Sequence, residues 1–268
     1  MAWPRLWKVE RGSSTVLLFG ETVGVRREDV WLSDAVRLAV EGCREFWCEF
    51  TDAAEIAANP SLGEYGLAAE PLSHRLDEEE LRRLQTAARV VDVDPATLEG
   101  LRPWLAGQLL EAAHRDRSGV DSTTDVHDVL LSLARDSGAV IRTELPDAEA
   151  TLAFFANLGD AAEIEYLMWT LERVVHGGAE IRPQADAWLV GDGSIVAAQV
   201  AEMQRAYPAL HRRLLAERNR DWVPRIDEML RRPGTTFVLV GDSHLPGDDG
   251  IPALLTRDGK RPKIARVG

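Results

Sequence analysis

Two apolar runs near opposite ends of the chain constrain its fold more than any other feature. Thr15-Val16-Leu17-Leu18-Phe19 and Thr235-Thr236-Phe237-Val238-Leu239-Val240 are nearly continuous in apolar and β-branched residues, as strands covered on both faces should be. Each stops at a glycine, Gly20 and Gly241. Leu6-Trp7-Lys8-Val9-Glu10 precedes the first run across the turn-forming Arg11-Gly12-Ser13-Ser14, which predicts a hairpin. Ser33-Asp34 offers capping oxygens for a helix through Ala35, Leu38, Ala39 and Gly42, and Glu45 to Phe50 reads as the next strand. This β-α-β order predicts parallel strands joined by a right-handed crossover.

Between the ends the periodicity is helical. Leu81, Leu84, Ala88 and Val91 repeat at three-to-four spacing behind Asp77-Glu78-Glu79-Glu80, an acidic start that suits the helix dipole. Pro95 starts another helix, continued after Pro103-Trp104 by Leu105, Leu109 and Leu110, and Asp121 to Arg135 is a further amphipathic helix ending near Ser137-Gly138. Ala139 to Thr143 is a short strand. Two or three more helices are expected between Asp147 and Leu230, through Phe154, Leu158, Ile164, Leu167, Leu171 and Val175. Gly247-Asp248-Asp249-Gly250 leads into a short helix, Ile251 to Leu255, and Lys263 to Val267 is a last edge strand. The expectation is a single α/β domain over 1–268, with a largely parallel central sheet. Its sheet core covers about 1–60, 138–145 and 235–268, and a helical lid or insertion covers about 76–136 and 146–232. At 268 residues one core can bury about three-quarters of the unfolded surface.

Charge and cysteine content narrow the partners. With 31 Lys+Arg against 44 Asp+Glu, the net charge of −13 repels phosphate backbones and disfavours nucleic acid. No apolar run approaches the ~20 residues of a membrane span, and MAWPRLWKVERG lacks the basic start and apolar stretch of a secretory signal. A cytoplasmic address is expected. Cys43 and Cys48 make neither a disulfide framework nor a four-ligand zinc site and read as core packing. Ala161-Ala162 and Ala197-Ala198 would suit close packing in a homodimer, and intramolecular packing explains them equally well.

Ligands of parallel sheets collect beyond the carboxyl ends of the strands. Three predicted strands end there in polar groups: Gly20-Glu21, Glu49, and Gly241-Asp242-Ser243-His244. His244 suits a metal ligand, a general acid/base or a loop residue bonded to backbone. His74, His114, His127, His176 and His211 share no ligand spacing and are expected at the surface or at helix ends. Asp125-Val126-His127-Asp128 reads as a solvated face, because adjacent helix residues point in different directions. Gly191-Asp192-Gly193 is too short a signal for a phosphate loop. Arg212, Arg213, Arg218, Arg220 and Arg225 make a locally basic helix, which either receives an acidic group or pairs with the surplus carboxylates. Trp222, one turn after Arg218, is placed to border a site.

The C-terminal run, from Glu217-Arg218-Asn219 through Trp222, Ile226 and Leu230 to FVLVGDSHLPGDDGIPALLTRDG, resembles the end of the TraB/GumN family. Its pattern is an Arg-Asn helix, an apolar strand, Gly-x-x-His-Leu-x-Gly, a short helix, and Leu-Leu before a glycine. Arg218, Asn219, Gly241, His244, Leu245, Gly247, Gly250, Leu254, Leu255 and Gly259 fall into step. LWKVERGSSTVLLFGETVGV resembles the family's opening, Glu49 matches the acid ending its next strand, and Pro103-Trp104, Gly119-Val120-Asp121 and Glu144 match internal landmarks. One departure stands out. The family's first motif is Gly-x-x-His, and this chain has Gly20-Glu21-Thr22-Val23. The Tiki branch implies a divalent metal held by two histidines, and Val23 supplies no ligand. Erythromycin-esterase-like and ChaN-like groups, more distantly similar, carry a glutamate directly after that glycine, so Glu21 could stand in.

The resemblance implies a hydrolase-like enzyme acting on a small molecule or peptide, with Glu21, Glu49 and His244 catalytic and Arg218, Asn219, Asp242, Ser243 and Trp222 binding substrate. If a metal is present, Glu21, Glu49 and His244 would hold it; without one, two carboxylates in different surroundings can divide acid and base roles while His244 shuttles the proton. No cofactor is otherwise expected. A metal-independent cyclisation or elimination in small-molecule biosynthesis, and a non-catalytic ligand- or peptide-binding regulator, are the other readings.

Overall fold

A computed structural model describes residues 3–50, 53–117, 125–176 and 181–264. Its strands are β1 (Leu6–Arg11), β2 (Ser14–Glu21), β3 (Glu45–Cys48), β4 (Val140–Thr143), β5 (Gly234–Gly241) and β6 (Lys263–Ile264). The α-helices are α1 (Asp34–Glu41), α2 (Ala53–Ala57), α3 (Leu62–Gly66), α4 (Glu78–Val90), α5 (Pro103–Arg117), α6 (Val126–Asp136), α7 (Ala148–Ala156), α8 (Asp160–His176), α9 (Ile181–Leu189), α10 (Ser194–Ala206), α11 (Pro208–His211), α12 (Glu217–Met229) and α13 (Ile251–Arg257).

The strands form one sheet in the order β4-β3-β5-β2-β1-β6. Four neighbours, β4, β3, β5 and β2, run parallel, and β1 is antiparallel to both β2 and β6. The hairpin and the edge strand are therefore where the sequence places them, and Gly119-Val120-Asp121 and the end of the last strand lie outside the described residues. β2 and β3 are parallel but not adjacent, because β5, from the far end of the chain, lies between them. β5 is the strand both neighbours need.

Alternation along β2 and β5 divides the core. Leu17, Phe19, Phe237 and Leu239 pack with Val36, Val40, Leu130 and Trp188 on one face. Val16, Leu18, Val238 and Val240 pack with Trp222, Ile226, Ile251 and Leu255 on the other. Phe46 and Phe237 stack across adjacent strands with ring centroids 5.5 Å apart. A third cluster, from Leu72 to Leu215, is made by helices and the segments that join them. Ser33 caps α1 as predicted, its oxygen accepting the Val36 N–H at 3.2 Å, and at the acidic start of α4 Asp77 and Glu80 add a reciprocal capping box.

The segment from Asp147 to Leu230 differs from expectation. Its described residues form six α-helices and a π-helical turn, Arg212–Ala216, rather than two or three helices. Gly159 and Gly191, both at positive φ, and Pro208 at the start of α11 break what apolar periodicity alone joins. Among the described residues, no helix is long and apolar enough to cross a membrane.

Candidate functional site

Parallel pairing brings the carboxyl ends of β2, β3, β4 and β5 to one edge of the sheet. Glu21 pairs in register with Gly241, and the ladder between β3 and β4 continues past both strands through Glu144 N–H to Cys48 O at 2.8 Å and Leu145 N–H to Glu49 O at 2.9 Å. Glu21, Glu49, Glu144 and the turn Asp242–His244 therefore share that edge. They divide into two groups.

The first is a closed, buried network around Arg218 of α12. Its Nε donates to Glu144 Oε1 at 2.9 Å, and its Nη2 donates to Glu144 Oε2 at 2.7 Å and to Glu49 Oε2 at 2.6 Å. Trp222 Nε1 donates to Glu144 Oε2 at 3.1 Å. The Gly241 N–H donates to Glu49 Oε1. His244 lies with Nε2 3.4 Å from Glu49 Oε2 and Nδ1 against Asn219 Oδ1, and Asn219 Nδ2 donates to Asp249 O at 2.8 Å. Phe154 covers the guanidinium, whose carbon is 5.4 Å from the ring centroid. Burial raises Glu49, but the His244 imidazole, the Arg218 guanidinium and the Gly241 N–H outweigh it and hold the carboxyl well below its usual range. Burial opposes the Arg218 charge in turn, and Glu49 and Glu144 hold it above its ordinary value.

The second group is incompletely satisfied. Glu21 Oε2 lies 3.2 Å from His127 Nδ1, and the Glu21 side chain is 17% exposed, more open than Glu49 and Glu144. His127 sits in the first turn of α6, where the Asp125 oxygen caps its N–H at 2.9 Å. Its ring stacks on Phe50 at 5.8 Å, and its Nε2 is buried with no hydrogen-bond partner among the described residues. Burial raises Glu21 despite the His127 contact, and the charges of Glu49 and Asp125 push the same way. Burial opposes charge on His127, and the neighbouring Cys48 sulfur and Glu21 carboxylate outweigh it and raise the imidazole. Both partners of this coupled pair therefore move up.

Asp242 completes this side. Its Oδ2 accepts from Gln184 Nε2 of α9 at 3.2 Å, and the same nitrogen reaches Thr22 Oγ1 at 3.2 Å. Burial pushes the Asp242 carboxyl up to about 6 against those two hydrogen-bonding partners. α9 is fixed here by Trp188, whose Nε1 donates to Gly20 O at 2.7 Å. Gly20 is required by the close approach of the turn: a Cβ there would lie 2.7 Å from Leu245 Cδ1 and 3.0 Å from Asp242 Cα. A cavity of about 130 Å³ opens beside Asp242 and Gln184.

A divalent metal does not fit these residues. Among the described residues no group of three His, Cys, Asp or Glu side chains is placed to hold one. The Glu49 oxygens face Arg218 and the Gly241 N–H, His244 Nδ1 faces Asn219, and Glu21 turns to His127. Val23, at the position of the family's other histidine, lines a small separate recess with His114, Arg173 and Gln184.

The structure thus gathers Glu21, Glu49, His244, Arg218, Asn219, Asp242, Ser243 and Trp222 at one edge, with the Ser243 hydroxyl beside Gly241. Arg218, Asn219 and Trp222 have their donors committed within the protein. One expectation is corrected. His127 is not on a solvated face: it is a helix-end residue as predicted, but 8% exposed, because α6 packs its Val126-Leu130-Leu131 face on the sheet and turns the preceding end toward Glu21. His114 and His211, also at helix ends, are likewise buried. Gln184 and Thr22 carried no sequence signal. Glu144 carried one, in the resemblance alone.

The sequence matches the model of the TraB/PrgY/gumN family over residues 5–264. It is 25% identical over 191 residues to the uncharacterized protein YbaP of Escherichia coli (strain K12), covering 70% of this chain and 69% of that protein. The YbaP of Shigella flexneri matches to the same extent. No solved structure matches significantly.

Proposed function

The chain belongs to the TraB/PrgY/gumN family, and we propose that it is a hydrolase-like enzyme that acts on a small molecule or peptide with its own acid/base side chains. The observation that carries this reading is the unequal setting of two carboxyls on one sheet edge: Glu49 is held by Arg218, the Gly241 N–H and His244, whereas Glu21 meets His127 alone, and the two are shifted in opposite directions. Such a split assigns one group to proton transfer and the other to permanent charge.

In this reading Glu21, with His127 behind it, takes a proton from the attacking water. The water oxygen bonds to the substrate's acyl carbon, the bond to the leaving group breaks, and the leaving group receives the proton held by the Glu21–His127 pair. Glu49 stays ionised and fixes the end of β5 through the Gly241 N–H. Arg218, Glu144, Asn219 and Trp222 are positioning residues, and His244 locks the turn that carries Asp242 and Ser243 to the substrate. The expected cytoplasmic address belongs to the same proposal.

A panel of chromogenic esters and amides tests it. Hydrolysis by the wild-type protein should fall about 10²–10⁴-fold in Glu21→Gln, the usual contribution of a positioned acid/base, with the far-ultraviolet circular dichroism unchanged. Equal turnover by Glu21→Gln removes the assignment. Saturable binding without product favours the regulatory reading instead.

A further inference from the structure

The cavity beside Asp242 has a lining that specifies a ligand class. Its walls are apolar, formed by Trp7, Trp188, Val196, Ala197 and Leu245, with Asp242 and Gln184 at one side. Arg5 and Asp192 also line it, both exposed and opposite in charge, and Arg5 acts on Asp192; Arg5 Nε donates to Gly191 O, and Asp192 Oδ1 accepts the Ser194 N–H at 2.9 Å. Asp242 is half-buried where Asp192 is exposed, and so is the acid set within the chamber to read a ligand. A carboxylate has about four acceptor positions, and its contacts with Gln184 and Thr22 leave capacity. Two indole rings and a carboxylate around one apolar chamber suit a cation on a hydrocarbon body, since aromatic faces attract ammonium groups as well as burying apolar surface. Arg173 acts on Asp242 from α8, but it lines the smaller recess on the other side of Gln184.

We propose that this chamber binds a small arylalkyl amine, its ring between Trp7 and Trp188 and its ammonium on Asp242. That the substrate is an ester or amide carrying such an ammonium group rests on the function proposed above; that the amine binds does not.

Isothermal titration of the full chain with 2-phenylethylamine, 2-phenylethanol and phenylacetate tests this. The amine should bind saturably, the isosteric alcohol about tenfold or more weakly, and the acid not at all, and Asp242→Asn should erase the preference for the amine, a difference of about 1.4 kcal/mol or more. No saturable amine binding, or equal binding of amine and alcohol by the wild type, overturns the proposal. If Asp242→Asn does not fold, Ala197→Phe fills the chamber from α10 and should abolish amine binding; unchanged affinity in that variant places the amine elsewhere and overturns it. Glu21→Gln should bind the amine as wild type does. Loss of turnover with binding kept supports both readings, whereas amine binding lost in Glu21→Gln assigns the ammonium to Glu21 and overturns the role of Asp242.

Discussion

Two groups of acids share one sheet edge and differ in how completely they are satisfied. Around Arg218, the hydrogen-bonding atoms of Glu49, Glu144, Asn219 and Trp222 have partners inside the protein. Around Glu21, His127 keeps an unpartnered buried nitrogen, and Asp242 borders a chamber. Both groups are buried, so burial alone does not distinguish them. Completeness does. A fully bonded ion network has fixed protonation and no spare acceptor, while an incomplete one retains a group able to exchange a proton or accept a ligand.

The largest effect should come from breaking the closed side. Arg218→Ala leaves Glu49 and Glu144 buried without their counter-charge and should cost about 3–5 kcal/mol in urea unfolding; a loss below ~1 kcal/mol would erase the contrast between the two groups. Next comes pH. Glu49 has a lowered native pKa, so its contribution is present above the ordinary carboxylate value and is lost as pH falls through the native one. Glu49→Gln should therefore flatten the acid limb of stability. Asp242 is raised, from 3.8 to about 6, so the native state holds its proton more tightly and stability falls as pH rises across that interval. Asp242→Asn should remove that fall. The two variants thus change the pH–stability curve in opposite senses, measured by thermal midpoints from acid to neutral pH; the same sense for both would refute the division. Smallest is the stability change in Glu21→Gln, expected within about 1 kcal/mol in the same urea experiment because an amide keeps a polar contact with His127.

Much of this was legible in the sequence because local rules act on local residues. The apolar runs of β2 and β5, the glycines after them, the cap of α1 and the acidic start of α4 announce themselves, and once the strands are parallel their ends must meet. That logic gathers Glu21, Glu49 and the Asp242–His244 turn. It does not find His127, whose role depends on how α6 lies on the sheet, a packing fact encoded by Val126, Leu130 and Leu131 together rather than by the histidine. It does not find Gln184 either, which arrives on a helix anchored by one indole bond to Gly20 O. Nor does it tell whether the Arg218 fork faces a ligand or the protein, because Glu49 and Glu144 lie 169 and 74 residues away.

The central place of β5 has a consequence for how the molecule is made. β2 and β3 lean on a strand that leaves the ribosome only after more than two hundred residues have been synthesised. Until then the nascent hairpin exposes a bonding edge, and its pairing must span most of the polypeptide, a long-range closure of the kind that slows folding and exposes chains to aggregation. The edge that carries Glu21 and Glu49 therefore cannot close before β5 has emerged, and a ribosome stalled in the helical region would carry the two acids at the ends of strands with no strand between them.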